Sequence, residues 1–153
     1  MDITILYGTE TGNAEMLAED ISTDLSSEHD VVVSNLENFD PANFDGNHLY
    51  LIVCSTYGDG ELPASAQPFA QAIEKTRPDL STVLFGIFGL GDSSYTETYN
   101  FGSKQVCDIL VGAGARQIGE RLTHDASGTD MSDDLALPWA RRVVSLTKTV
   151  VDA

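Results

Sequence analysis

The stretch Tyr7-Gly8-Thr9-Glu10-Thr11-Gly12-Asn13-Ala14-Glu15 contains the change of secondary structure that decides the fold. The apolar run Ile3–Tyr7 predicts a buried β-strand, and an amphipathic helical pattern starts within a few residues of its end. A strand, a tight loop and a helix N-terminus form an anion site. The first backbone N–H groups of a helix have no internal partner and lie at the positive end of its dipole. The stretch therefore predicts an anion-binding loop.

Neutral groups would hold an anion at this loop. Thr9 and Thr11 can donate from their hydroxyls, and Gly8 and Gly12 let the backbone approach a ligand closely. The loop contains no Lys or Arg, so it lacks the lysine with which a P-loop reaches its phosphates. The pattern indicates an anion site that differs from that of the P-loop proteins.

Strands and helices alternate along the whole chain. After the first strand, strands are predicted at Val31–Val33, Leu49–Cys54, Val83–Phe88 and, more weakly, Ala115–Leu122. The helix predicted after the first loop has one core-facing stripe, made of Ala14, Leu17, Ala18, Ile21 and Leu25. Further helices are predicted from Ser65 to Lys75, from Gly102 to Val111, and from Asp133 onward, the last with Trp139, Val143, Leu146 and Val150 on one face. Such alternation predicts right-handed crossovers and a parallel sheet with helices on both faces. The unbroken apolar run Leu49–Cys54 indicates a strand that is covered on both sides.

Three loops follow strands and share one composition. Gly8–Gly12, Ser55–Pro63 and Gly89–Tyr99 are rich in Gly and hydroxyl residues, and the last two contain aromatic residues. In a parallel sheet of this kind, ligands bind beyond the carboxyl ends of the strands. Tyr57 and Tyr95 in the two later loops suggest a flat, phosphorylated ligand that is clamped between aromatic rings.

Other kinds of site find less support. Asp59, Glu61 and Asp92 have no His or Cys at a ligand spacing, so we expect no metal centre. The three His residues are scattered and form no visible nucleophile–base pair. A binding site without obvious catalytic side chains is typical of a protein whose chemistry is carried by a cofactor.

The bulk composition limits the class of protein. A length of 153 residues predicts one domain, spanning residues 1–153. The apolar runs are too short for a membrane span, and two Cys residues, Cys54 and Cys107, predict buried reduced thiols and a cytoplasmic location. The net charge of −16 argues against nucleic acid and favours a partner with a basic face. Solubility or a salty habitat would explain the acidity equally well.

Together the three loops resemble the flavin mononucleotide (FMN) loops of the flavodoxin family. The matching segments are Tyr7–Glu15, Ser55–Pro63 and Leu90–Tyr95. They are nearest to the FMN domains of diflavin reductases, such as the sulfite reductase flavoprotein, and to the short MioC-type flavodoxins. Gly119–Leu122 and Trp139–Arg141 also resemble that branch. The resemblance implies a flavodoxin-like three-layer sandwich, with a five-stranded parallel sheet of order 2-1-3-4-5.

The resemblance assigns a role to many residues of the loops. The phosphate would be held by Thr9, Glu10, Thr11, Gly12, Asn13 and Ala14. The ribityl chain and ring edge would be approached by Ser55 and Thr56. The ring faces would stack on Tyr57 and Tyr95. The peptide near flavin N5 would be that of Gly58 and Asp59. The outer wall would comprise Leu90, Gly91, Asp92, Ser93, Ser94, Tyr95 and Tyr99. Asp125 would approach the flavin from the loop after the fifth strand.

The sequence departs from its relatives at two points. Relatives commonly have Phe and then Cys or Asn where this chain has Thr98 and Tyr99, at the wall near the flavin edge. The chain also lacks the insertion of roughly twenty residues that long-chain flavodoxins carry in the fifth strand.

The function implied by the resemblance is that of a monomeric one-electron carrier with non-covalent FMN, not of an enzyme. Its donor would be a flavin reductase, such as a ferredoxin/flavodoxin–NADP reductase, and its acceptor a basic-faced redox enzyme. A flavin-dependent quinone or nitro reductase is an alternative that would need a nicotinamide pocket. A phospho-accepting receiver would need an acidic cluster after the first strand and a late Lys, which are missing. The FMN domain of a larger diflavin reductase is a further alternative, although Met1 and the early end of the chain favour a free protein.

Overall fold

A computed structural model describes residues 2–8, 13–46, 48–55, 64–91, 101–125 and 132–151. Its strands are β1 (Asp2–Gly8), β2 (Asp30–Asn35), β3 (Leu49–Ser55), β4 (Leu84–Gly91), β5 (Arg116–Gln117) and β6 (Leu122–Asp125). Its helices are α1 (Asn13–Leu25), α2 (Gln67–Thr76), α3 (Phe101–Gly112) and α4 (Ser132–Val151). Single 3-10 turns occur at Leu36–Asn38, Pro41–Asn43 and Ala64–Ala66.

The strands form one parallel sheet. Its order is β2-β1-β3-β4-β5, and β6 pairs with the second half of β4. The helical crossovers and the strand order confirm the predicted 2-1-3-4-5 arrangement.

Strand β3 separates two hydrophobic cores. Every residue from Leu49 to Cys54 is buried. Leu49, Leu51 and Val53 pack in the core that contains α1 and α4, and the residues between them pack in the core that contains α2 and α3. The fold is therefore the predicted three-layer sandwich, with a helical layer on each face of the sheet.

The helices are held by apolar faces that the sequence predicted well. In α1, the buried positions are the expected Ala14, Leu17, Ala18, Ile21 and Leu25. In α4, Trp139 and Val143 are buried, and the ring of Trp139 packs against Phe88 at 5.5 Å between centroids. The expectation for Leu146 was wrong, since it is 40% exposed. Among the residues described, no helix combines the length and apolar character that a membrane span requires.

The fifth strand position is occupied by two short strands, so the prediction of one strand over Ala115–Leu122 was wrong in its bounds. The ladder with β4 continues only as far as the bond from the Ile118 N–H to the Phe85 carbonyl. Gly119 then adopts φ +74°, a left-handed conformation that turns the chain out of the extended path. Leu146 lies beside this break, with its Cδ1 3.4 Å from the place where Gly119 would carry a Cβ.

An aromatic cluster covers part of the sheet on the α2 side. Phe44 packs edge-on against Tyr50 at 4.7 Å, and Phe39 and Phe69 complete the group. The Tyr50 hydroxyl accepts a hydrogen bond from the Asp45 N–H at 2.7 Å. This bond satisfies the polar end of a ring that is otherwise enclosed. The segment between β2 and β3 is therefore tied to the core.

The two cysteines are free and buried, as the sequence predicted. Burial raises the pKa of the Cys54 thiol to about 12. Burial also raises the pKa of Cys107, whose Sγ donates to Gln117 Oε1 at 3.4 Å. Both groups are therefore neutral thiols near pH 7, and neither has the thiolate character of a reactive cysteine.

We predict that Gly86→Ala destabilises the protein by about 1–3 kcal/mol, because the new methyl group overpacks the core. A Cβ at Gly86 would lie 2.8 Å from Val143 Cγ1 and 3.4 Å from Trp139 Cζ2. The measurement is urea unfolding of the parent and the variant.

The matched control is Gly112→Ala, since nothing lies within 4 Å of a Cβ at Gly112 in α3. This variant should be as stable as the parent, or more stable by up to about 1 kcal/mol. In the double variant of Gly86→Ala with Val143→Ala, the loss should be smaller than the sum of the two single losses. A Gly86→Ala protein with unchanged stability would contradict the close approach of α4 to β4.

Candidate functional site

Four strands end together at one edge of the sheet. Gly8 of β1 pairs with Cys54, Ser55 of β3 pairs with Leu90, and Gly91 of β4 pairs with Asp125. All these pairs are parallel, so the strand ends that the sequence assigned to the site lie side by side. The chain leaves β1 toward β2 on one side, whereas β3 lies on the other side of β1. The edge above β1 and β3 is thus the topological switch point, where ligands bind in sheets of this kind.

Helix α1 contributes an N-terminus to this edge. It begins at Asn13, shortly after β1 ends at Gly8, and Ala14 is completely buried against the sheet. The N–H groups of its first turn therefore lie at the carboxyl edge, in the arrangement that favours an anion. Of the predicted phosphate segment, the structure describes the backbone of Asn13 and the whole of Ala14, which lie in the first turn of α1.

Ser55 fastens the end of β3 to the end of β1. Its Oγ donates to the Gly8 carbonyl at 3.2 Å, and the side chain is partly buried. Gly8 itself is enclosed, since a Cβ there would lie 3.1 Å from both Ala66 Cβ and Leu36 Cδ1. The two strand ends at the switch point are thus fixed by a hydrogen bond and by close packing.

Leu90 and Tyr7 form an apolar layer just below the strand ends. Both are partly buried and pack against the core of α1 and α4. Leu90 pairs with Ser55 on one side and with His124 on the other. Burial and the nearby Glu15 carboxylate raise the pKa of Tyr7, despite the opposing effect of its hydrogen bond with Asn35. Tyr7 is therefore a neutral phenol at physiological pH.

Sequence reasoning missed one contact at this end of the molecule. Arg121 Nη1 donates to Ser103 Oγ at 2.8 Å and so joins the break before β6 to the first turn of α3. Ser103 is completely buried, and Arg121 is partly buried. Arg121 is one of only eight Lys and Arg residues in the chain. This rarity is the one feature of the sequence that could have drawn attention to it.

Charge is distributed unevenly along the chain. All eight Lys and Arg residues lie after position 74, whereas 14 of the 24 acidic residues lie before Lys75. This acidic part of the chain comprises β1, α1, β2, β3 and nearly all of α2, and its three strands form the β2-β1-β3 side of the sheet. In the described structure, Arg141 offsets part of this charge by a bidentate ion pair with Asp24 between α4 and α1.

The other predicted site residues lie outside the described residues or are described only in part. Thr9, Glu10, Thr11 and Gly12 of the first loop lie outside them. So do Thr56, Tyr57, Gly58 and Asp59 of the second, and Asp92, Ser93, Ser94, Tyr95 and Tyr99 of the third. For Asn13, Gly91 and Asp125, the backbone alone is described. Their predicted roles stay predictions.

A cavity of about 450 Å³ lies at the opposite edge of the sheet, between the end of α1 and α4. Its lining includes Arg141, Lys148 and His29, together with Asp24 and Glu28. His29 Nδ1 is buried without a hydrogen-bond partner, and burial lowers the pKa of this side chain. Positive and negative groups are mixed there, so the cavity has no preference for a ligand of one charge. Among the described residues, no group of three or more His, Cys, Asp and Glu could hold a metal ion.

Comparison with known proteins gives consistent results. The sequence model of the flavodoxin family matches residues 5–139. Protein MioC of Escherichia coli K12 is 31% identical over 147 residues, which cover 96% of this chain and 99% of MioC. The sulfite reductase (NADPH) flavoprotein alpha-component of Bacillus subtilis is 34% identical over 145 residues, which cover 94% of this chain. That match covers only 23% of the Bacillus subtilis protein.

A solved structure has the same architecture. A cysteine-to-alanine point mutant of a flavodoxin from Pseudomonas aeruginosa superposes with a TM-score of 0.83 at 32% identity, covering 97% of this chain and 99% of that one. The chain thus spans nearly all of MioC, but between 6% and 25% of the larger curated relatives it matches. The family model covers most of the chain, and the matched region contains the four strand ends that meet at the switch point. The chain therefore belongs to the flavodoxin family of FMN-binding electron-transfer proteins.

Proposed function

We propose that residues 1–153 form a single FMN-binding domain that carries electrons one at a time between a reductase and an acceptor enzyme. The observation that carries this proposal is the meeting of β1, β3, β4 and β6 at one edge, beside the N-terminus of α1. The ends of β1, β3 and β4 lead into the three segments that resemble flavin-binding loops, and β6 ends at Asp125, which the resemblance places near the flavin.

The described groups at this edge fit a flat, phosphorylated cofactor. The first-turn N–H groups of α1 are neutral donors for a phosphate. The Ser55 hydroxyl donates to the Gly8 carbonyl, so its oxygen is left to accept a hydrogen bond from a ligand hydroxyl. Leu90 and Tyr7 give the site an apolar floor. Polar donors at one end and an apolar surface at the other are what an amphipathic cofactor requires.

Bound FMN would supply the redox chemistry. The protein's own contribution is to hold the cofactor, to exclude water from its ring and to set the electrostatic field around it. Tyr57 and Tyr95 are proposed to enclose the ring, and Asp59, Glu61 and Asp92 to make the surroundings negative. A negative field opposes the gain of further negative charge, so the second electron should enter less readily than the first.

The proposed acceptor is a redox enzyme with a basic face, and the proposed donor is a flavin reductase. The support is the net charge of −16 and the absence of any Lys or Arg before residue 75. Complementary charges speed diffusional encounter and orient the partners, and their effect weakens with added salt. The larger relatives suggest a second role, as the FMN domain of a multidomain NADPH reductase, since this chain matches only a quarter or less of their length.

The first test is FMN binding. We predict that the purified protein is yellow and binds one FMN, which denaturation releases. Ser55→Ala should weaken binding by about threefold to tenfold, since it removes a hydrogen bond with a net value of about 0.5–1.5 kcal/mol between the ends of β1 and β3. Quenching of flavin fluorescence gives the Kd.

Ser26→Ala is the matched control. Ser26 is exposed and follows the end of α1, at the opposite edge of the sheet, and its Oγ donates to the Ser22 carbonyl. Its Kd should equal that of the parent. A colourless parent protein that takes up no added FMN would overturn the proposed function.

The second test separates a carrier from a reductase enzyme. We predict two resolved one-electron steps in a potentiometric titration, because the acidic surroundings disfavour the second reduction. Without an added flavin reductase, the protein should not oxidise NADPH. Rapid NADPH oxidation by the protein alone would favour the quinone or nitro reductase alternative.

The third test concerns the acidic side of the sheet. We predict that electron transfer to cytochrome c, used as a basic probe acceptor, slows as ionic strength rises. Replacing Glu15 and Glu19 of α1 by Gln should lower the bimolecular rate at low salt more than replacing Glu28 by Gln and Asp30 by Asn. Both pairs remove two negative charges, but the first pair lies nearer the carboxyl edge. Equal effects of the two pairs would show that only the net charge matters.

A further inference from the structure

Arg121 occupies an unusual place for a cation in this protein. Its guanidinium Nη1 donates to Ser103 Oγ at 2.8 Å, and Ser103 is the third residue of α3. The positive end of the helix dipole lies at this terminus, so a cation there is electrostatically unfavourable. The first turn of α3 itself contains no acidic residue that would offset the charge. The helix dipole therefore does not explain the position of Arg121.

The break in the fifth strand is what makes the contact possible. Residues 119–121 leave the ladder after the Ile118–Phe85 hydrogen bond, and the positive φ of Gly119 redirects the chain. Arg121 then precedes β6, which pairs with Phe88–Gly91 of β4. A continuous strand would instead place position 121 in the ladder, with its side chain committed to one face of the sheet. The break frees a long cationic side chain to reach α3.

The contact joins two elements that border the carboxyl edge. β6 ends at Asp125 beside Gly91, and α3 begins at Phe101, directly after the third of the loops that resemble flavin-binding segments. From Leu122 to Asp125 the strand rises about 10 Å, at about 3.3 Å per residue. The positive charge of Arg121 thus lies near the carboxyl edge and can act on charges bound there. Its side chain also contacts the first turn of α3.

The burial of Ser103 makes its hydrogen bond with Arg121 important. Ser103 is completely buried, so its hydroxyl has little access to water and depends on protein partners. A hydrogen bond from a charged donor is stronger than one between neutral groups. Lys104, the basic residue next to Ser103 in α3, is exposed and paired with Asp108 one turn later. Lys104 therefore binds within its own helix, whereas Arg121 links α3 to the sheet.

We propose that Arg121 is a positioning residue for the proposed flavin, acting through its hydrogen bond to Ser103. The bond fixes the start of α3 relative to β6, and with it the point at which the third loop enters the helix. The positive charge also moderates the negative field at the carboxyl edge, which favours addition of an electron. This inference rests on the proposed function and adds a residue to which no role was assigned from the sequence.

The test compares the parent with Arg121→Gln, Arg121→Lys and Ser103→Ala, and uses Arg116→Gln as the matched control. Arg116 is an exposed cation on β5, near the other end of the fifth strand position, so its loss changes the net charge equally. The measurements are the Kd of FMN by fluorescence quenching, the midpoint potentials, and the thermal unfolding of the apoprotein.

Arg121→Gln should raise the Kd of FMN by about tenfold, equivalent to about 1.4 kcal/mol, and lower both midpoint potentials. Arg121→Lys should have the parent's midpoint potentials, because Lys keeps the positive charge. Its Kd of FMN should still be higher than the parent's, because Lys lacks the planar guanidinium group. Ser103→Ala should raise the Kd and leave the potentials near those of the parent. Arg116→Gln should have a Kd of FMN within about twofold of the parent's. Its midpoint potentials should equal those of the parent within experimental error.

Two results would overturn the inference while leaving the proposed function intact. One is a parent-like Kd and parent-like potentials in Arg121→Gln, whether or not the apoprotein unfolds at a lower temperature, since this would show a merely structural role. The other is an equal change in Arg116→Gln, which would show an effect of net charge alone. If Arg121→Gln does not fold, Arg121→Lys and Ser103→Ala decide, and parent-like Kd values in both would overturn it. A parent protein that binds no FMN would overturn the proposed function and this inference together.

Discussion

The parallel pairing of β1 with β3 is the constraint on which the rest of the structure depends. Because β3 is buried on both faces, it requires a helical layer on each side of the sheet. Burial of a single Val, Leu or Ile side chain contributes about 1.5–3 kcal/mol, so the six buried residues of β3 hold the register firmly. That register places the end of β3 beside Gly8 and allows Ser55 to reach the Gly8 carbonyl. The geometry of the site is therefore a direct result of the pairing that forms the core.

How far the sequence predicts this structure depends on whether the signal is local. The apolar run of β3 and the stripe from Ala14 to Leu25 are periodic within one element, and both were predicted correctly. The division of the fifth strand depends on one left-handed backbone angle at Gly119, which leaves no periodic trace. Leu146, which lies on the same helix face as Trp139 and Val143 by sequence pattern, is nevertheless 40% exposed.

The same distinction between local and tertiary information applies to the site. The strand ends could be predicted from composition, because Gly and hydroxyl residues follow each apolar run. The Ser55–Gly8 bond spans 47 positions and the Arg121–Ser103 bond spans 18, so each exists only once the strand register is set. No pattern within one element contains that information. Tertiary contacts thus supply what periodicity cannot, and these two involve the elements that border the edge where a cofactor would bind.

A chain with a net charge of −16 would have to bind a phosphate dianion against its own field. Two features of the structure reduce this difficulty. The oriented N–H groups of α1 would act on a bound anion at short range, whereas the fields of exposed surface carboxylates are screened beyond about 8–10 Å at physiological ionic strength. Arg121 adds a partly buried positive charge near the same edge, where screening is weaker than at the surface. Long-range attraction of a basic partner and short-range binding of an anionic cofactor are therefore compatible, because they operate at different distances from the same sheet edge.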